Sequence, residues 1–140
     1  METVKKIIQR DRFCIETVGI ELVEIVPGSA KAKLEITEAH LNGLGIVQGG
    51  AIFTLADLAL AAAANSHGTA AVLVNGNISY FKAVSHGILY AEAREESINN
   101  KLASYAIKII NGEGEAVALM QATVYRKKES LESVLKQTES

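Results

Sequence analysis

Residues 51–64 form the longest apolar stretch of the chain, fourteen residues broken only by Thr54 and Asp57. Four glycines crowd the segment before it, His40 to Gly50 (HLNGLGIVQGG), which therefore cannot be regular throughout. Alanine and leucine dominate the apolar stretch itself, and both favour helix. Asn65, Ser66 and Gly68 are stop signals for that helix. A helix apolar on almost every side must be enclosed by the rest of the fold. Fourteen residues are too few, and too interrupted, to cross a bilayer.

The flanking segments show what encloses it. Residues 30–36 alternate, with Ala30, Ala32, Leu34 and Ile36 on one face and Lys31, Lys33 and Glu35 on the other. Residues 17–26 read as a strand, and Pro27-Gly28 supplies the turn between the two. After the helix come four strand-like stretches, at about 71–82, 87–97, 102–111 and 115–126. Asn99-Asn100 and Asn111-Gly112 stand where hairpins need turns. Residues 2–13 suit a short amphipathic helix with Val4, Ile7 and Ile8 on one face. The tail from Lys127, with Leu131, Val134 and Leu135, suits another. The pattern predicts an α+β fold, an antiparallel sheet wrapped around a long central helix. No repeat or linker divides residues 1–140, so one domain is expected.

Composition narrows the function classes. A net charge of −2 gives no basic field for nucleic acid. Charges interrupt the N-terminus too often for a signal-peptide core. The single cysteine, Cys14, cannot form an internal disulfide, which fits a reducing, cytoplasmic setting. His40, His67 and His86 share no metal-ligand spacing, so no metal is expected.

Two features carry chemistry. Asp57 is a lone acid in an apolar helix, and burying a carboxylate without a partner is costly. Gly49-Gly50 stands at the helix start, where free amides and the dipole favour negative charge. Such a site suits the oxyanion formed when a thioester or ester carbonyl is attacked. Asp57 lies eight residues beyond Gly49, roughly 12 Å along the axis. One helix cannot bring both groups to one carbon, but two antiparallel copies can. If both act, the enzyme is a symmetric dimer with composite sites.

The stretch Asn42-x-x-Gly45-x-x-Gln48-Gly49-Gly50, followed by Leu55-Ala56-Asp57, resembles the signature of hotdog-fold acyl-CoA thioesterases of the phenylacetate-degradation type, and the resemblance extends over about residues 15–126. It implies a hotdog fold, homodimers often paired into homotetramers, and hydrolysis of an acyl-CoA thioester to a free acid and CoA. It implies Asp57 as nucleophile or general base, and the Gly49 amide as main oxyanion donor with Gly50 beside it. Asn42 would order the loop or the site. CoA, part of the substrate and not a cofactor, would be met along Tyr80–Ser85, around Ser97–Leu102 and near Arg126. Tyr80, Lys82, Lys101 and Arg126 are the candidates, the last three as phosphate cations.

The family usually has histidine where this chain has Gln48. An amide still donates a hydrogen bond but carries no proton and no charge. A hydroxyl that some members hold on the next strand would fall near Leu73, which has none. The alternative reading is a protein that binds acyl-CoA without cleaving it. A hydratase would want a histidine beside the helix start.

Overall fold

The computed structural model describes residues 1–139, with side chains through Gln137. Helix α1 (Glu2–Gln9) is followed by one π-helical segment, Phe13–Val18, and strands β1 (Glu21–Val26) and β2 (Ser29–Glu35). A short turn at Glu38–His40 leads through the glycine-rich loop into helix α2 (Gly49–Asn65). Strands β3 (Thr69–Tyr80), β4 (Ile88–Ile98), β5 (Leu102–Ile110) and β6 (Ala116–Ser130) come next, then helix α3 (Leu131–Glu139). The strands form one antiparallel sheet in the order β1-β2-β4-β5-β6-β3. Its inner face wraps α2, the hotdog arrangement.

Side-chain period explains the wrap. Ala30, Ala32 and Leu34 of β2 are buried, as are Leu89, Ala91 and Ala93 of β4 and Ala103, Tyr105, Ile107 and Ile109 of β5. They meet Leu55, Ala56, Leu58, Ala59, Ala62 and Ala63 of α2, which are also buried. The alanines on both sides let helix and sheet approach closely, and the leucines fill the space between. Truncating a buried leucine such as Leu58 costs about 2–5 kcal/mol. One stripe of α2 escapes the sheet: Gly50, Thr54, Asp57 and Ala61 keep solvent access, spaced four, three and four residues apart on one helical face. The helix is therefore less enclosed than its composition suggests.

Polar residues stop the helix as expected. Asn65 is buried; its Nδ2 donates to the Ala61 carbonyl at 2.8 Å, and its Oδ1 accepts from the Ala71 amide at 2.9 Å. It ends α2 and starts β3 with one side chain. Ser66 Oγ donates to the Ala63 carbonyl at 2.6 Å and accepts from the Gly28 amide at 2.8 Å. Beyond it, Glu95 accepts from His67 Nε2 at 2.7 Å and from the Tyr105 hydroxyl at 2.9 Å.

Three expected boundaries move. The strand expected over 17–26 begins only at Glu21, because residues through Val18 coil into the π-helical turn. The amides of Gly19 and Ile20 both donate to the Cys14 carbonyl, and Gly19, at φ 89°, takes the left-handed turn that ends the coil. For the same reason the helix expected over 2–13 stops at Gln9. The last strand runs to Ser130 instead of 126, because Ser130 pairs with Thr69 at the start of β3, so the terminal helix begins at Leu131.

Candidate active site

The loop before α2 is built by its own backbone. The Asn42 amide donates to the Ile46 carbonyl at 2.7 Å, and Asn42 Oδ1 accepts from the amides of Leu44 at 2.9 Å and Ile46 at 3.3 Å. Asn42 thus folds the loop, and its oxygen faces loop amides. Gly45, at φ 77°, makes the reversal that the fold of the loop demands. Two further bonds seat the loop: the Val47 amide donates to the Val84 carbonyl, and the Gln48 amide donates to the His40 carbonyl, both at 2.8 Å.

Gln48 is the N-cap of α2. Its Oε1 accepts from the Gly50 amide at 3.3 Å. The Gly50 N–H is therefore partly engaged, and the Gly49 N–H is the open donor at the helix start. With the oxygen turned inward, the Gln48 NH₂ group is free to donate outward. The Tyr80 hydroxyl, from the end of β3, donates to the Gly49 carbonyl at 2.8 Å. That contact explains the glycine: a Cβ at residue 49 would lie 3.2 Å from the Tyr80 hydroxyl oxygen. A groove of about 350 Å³ opens here, with Asn42, Gly49, Ile52, Tyr80, Phe81 and Lys82 among its walls.

Asp57 stands two turns further along the exposed stripe, half-buried. Its carboxyl has no hydrogen-bond partner among the described residues. Burial first, then the negative charge of Asp11, pushes its pKa above the ordinary carboxylate value. Asp11 lies two residues before the π-helical segment, and its Oδ1 accepts from the Cys14 amide at 2.9 Å. The buried Cys14 thiol is pushed up to about 12 by burial and by Asp11 and Asp57, so it stays protonated at neutral pH.

The structure thus groups Asn42, Gln48, Gly49, Gly50, Tyr80 and Lys82 at one end of α2, with Asp57 about 12 Å away along the helix. Lys82 pairs with Glu115 at 3.3 Å on the surface. Lys101 and Arg126 lie at the other end of the protomer. Lys101 sits in the β4–β5 turn, where Asn99 Oδ1 accepts its amide. Arg126 donates to the Asn99 carbonyl and stands opposite Ala71 at the start of β3. Sequence reasoning missed His40, and for Tyr80, expected along the path of CoA, it missed the contact with Gly49. The ring of His40, buried before the loop, and the hydroxyl of Tyr80 each hold backbone of the site region, and only their partners, far off in sequence, reveal it.

Residues 44–118 match the thioesterase superfamily. A relative from Archaeoglobus fulgidus is 38% identical over 127 residues, 90% of this chain and 82% of the relative. The acyl-coenzyme A thioesterase PaaI of Escherichia coli is 32% identical over 81% of each chain. The solved structure of that PaaI protein, from the phenylacetic acid degradation operon, superposes with a TM-score of 0.87 at 28% identity, covering 92% of this chain and 94% of that one. The TT0310 protein of Thermus thermophilus superposes with a TM-score of 0.80 at 34% identity, over 84% and 99%. These matches agree with one another and with the architecture: the chain belongs to the thioesterase superfamily and is a thioester hydrolase with the hotdog fold.

Proposed function

We propose that the chain hydrolyses acyl-CoA thioesters in two sites shared between antiparallel protomers. The observation that carries this reading is the pairing on α2 of an open Gly49 amide with an unpartnered, half-buried Asp57 too far away to serve the same carbon. The Gly49 N–H of one protomer would receive the carbonyl oxygen. Asp57 of the other would attack the carbonyl carbon, or take a proton from a water that does. The C–S bond breaks and CoA leaves as the thiol. After direct attack the acyl group stays on Asp57 as a mixed anhydride that a water cleaves to the acid; after attack by water the acid forms at once. No cofactor enters this scheme.

Strand β3 supports the pairing. It bonds to β6 along one edge only, and Val72 and Val74 on it are 44% and 57% exposed. A long uncovered edge asks for another strand. Two β3 strands running antiparallel would join the sheets and turn the exposed stripe of α2 toward the partner. The same operation would bring Lys82 at the end of one β3 beside the start of the other, next to Ala71 and its neighbour Arg126. With Lys101 close by, a cluster of cations would face the phosphates of CoA. The ion pair of Lys82 with Glu115 is exposed and cheap to break. The similarity to E. coli PaaI, named an acyl-coenzyme A thioesterase, supports the substrate class. A pair of such dimers would form the tetramer, in a cytoplasm that keeps Cys14 reduced.

Gln48 would stabilise the developing oxyanion as a neutral dipole, its NH₂ turned to the carbonyl oxygen while Oε1 caps the helix. The test is incubation of the pure protein with a panel of acyl-CoAs and a thiol reagent. Release of CoA thiol is the expected result. Saturable binding without release would leave a protein that holds acyl-CoA and does not cleave it.

A further inference from the structure

His40 is buried, with 9% of its surface exposed. Both of its ring nitrogens are engaged. The Thr37 amide donates to Nδ1 at 2.9 Å, and Nε2 lies 2.6 Å from the carbonyl oxygen of Val18. A carbonyl only accepts, so Nε2 carries the proton. A backbone amide only donates, so Nδ1 carries none. The partners fix one neutral tautomer. The backbone carbonyl of His40 meanwhile accepts the amide of Gln48 at 2.8 Å.

One residue therefore joins three parts of the chain. Thr37 belongs to its own turn. Val18 ends the π-helical segment whose first turn Asp11 caps from just outside it, and the charge of Asp11 reaches Asp57. Gln48 caps α2 and precedes the open amide of Gly49. We propose that His40 is a positioning residue for the hydrolysis: by donating from Nε2 to the Val18 carbonyl, it locks the N-terminal segment to the loop before α2 and so holds the Gly49 amide and the surroundings of Asp57 in a fixed relation. This rests on the thioester-hydrolase reading. The bond to Val18 carries the role, and the bond to Thr37 is local bracing.

Two substitutions separate those bonds. In His40→Asn the amide sits at the depth of Nδ1, so the Thr37 link survives and Val18 is out of reach. In His40→Gln the amide reaches the depth of Nε2, so the Val18 link survives and the Thr37 link is lost. Each removes one buried hydrogen bond, so their melting temperatures should fall alike. Activity should not. His40→Asn should lose about tenfold in kcat with KM within about twofold, whereas His40→Gln should keep kcat within about threefold of wild type. Amide hydrogen exchange at Gln48, followed by NMR in the full chain, supplies a readout independent of turnover. It should speed about tenfold in His40→Asn and stay near wild type in His40→Gln. Equal kcat losses in the two variants, or unchanged exchange at Gln48 in His40→Asn, would overturn the proposal. If wild-type protein frees no thiol from any acyl-CoA, the hydrolase reading falls, and the exchange result alone decides for His40.

Discussion

Replacing Gly49 by proline removes one N–H and little else, which makes the proposed shared site open to a mixing experiment. Gln48 has φ −59° and ψ 131°, the extended conformation that a residue before proline adopts. Residue 49 is the first of α2, where proline is well tolerated. The new carbons would crowd the Tyr80 hydroxyl, which must shift by a few tenths of an ångström. Gly49→Ala brings the same crowding but keeps the N–H, so it is the control and should stay active. Loss of one oxyanion donor costs about 10²–10³ in kcat. Asp57→Ala, the loss of a base, costs about 10²–10⁴. Each homodimer should therefore run at about 1% of wild type or less. In a heterodimer one composite site holds both defects and the other holds neither. Unfolding and refolding the two chains together in equal amounts gives heterodimers as about half of all dimers, each with one good site of two. The mixture should show about a quarter of the activity of the same amount of wild type, roughly 25-fold or more above either parent. Thiol release is the assay, and native mass spectrometry verifies the mixing. Verified heterodimers with activity no higher than the parents would mean that each site is built within one chain.

Three further outcomes rest on named contacts. Asp57→Asn should abolish turnover yet raise the melting temperature at neutral pH. The folded-state pKa of Asp57 is raised, so its charged form destabilises the fold above that value, and the gain should fade as pH falls through it toward the unfolded-state value. Equal stability of wild type and mutant at neutral pH would contradict this. Tyr80→Phe should lower kcat about fivefold with KM nearly constant, because it removes about 1 kcal/mol of support from the Gly49 peptide and leaves the ring in place; a rise in KM alone would make Tyr80 a substrate contact. Glu95→Gln should lower the melting temperature at neutral pH. Burial pushes the Glu95 carboxyl up, but hydrogen bonds from His67 and Tyr105 and the charges of His67 and Arg126 outweigh it and hold it below its ordinary value. Its stabilising contribution is present above the unfolded-state pKa and lost as pH falls through the folded one. Thermal melts from about pH 3 to pH 7 should show the mutant deficit closing at the acid end; a deficit independent of pH would assign it to packing.

Periodicity and punctuation made most of the fold legible. Six strands and a central helix could be read from the alternation around Ala30–Ile36, the alanine-rich run after Gly50 and the asparagine turns. The misread lies at Thr17–Ile20, where strand-like residues coil. A signal was present: Asp11 three residues before Cys14 can cap a turn, and Gly19 can close one. Of the candidate site, the helix start and the lone acid stood out because each breaks a local rule. What Gln48 does was not. Its amide was expected as a hydrogen-bond donor, and the acceptor role of its oxygen toward the Gly50 amide was not foreseen. The links from Tyr80 to Gly49 and from His40 to Val18 span 31 and 22 residues. Pairs at such separations are made by tertiary folding and leave no trace in any local window.

The strand order also dictates a schedule. Strand β3 is made immediately after α2, but its sheet partner is β6, and the pairs between them span 38 residues (Tyr80 with Ala118) to 61 (Thr69 with Ser130). A ribosome adding about 5–20 residues per second needs several seconds to cover that distance. During those seconds the nascent chain displays an alanine-leucine helix and a strand with both edges bare. The β1–β2 hairpin can form early, and β4 and β5 can add to it as they emerge, but β3 has no partner in its own protomer until β6 is made. The sheet therefore closes over β3 only when its last strand arrives. Chains that stop between Tyr80 and Ala116 would be left with their stickiest segments uncovered, and the cell would meet them as aggregates or as clients of its chaperones.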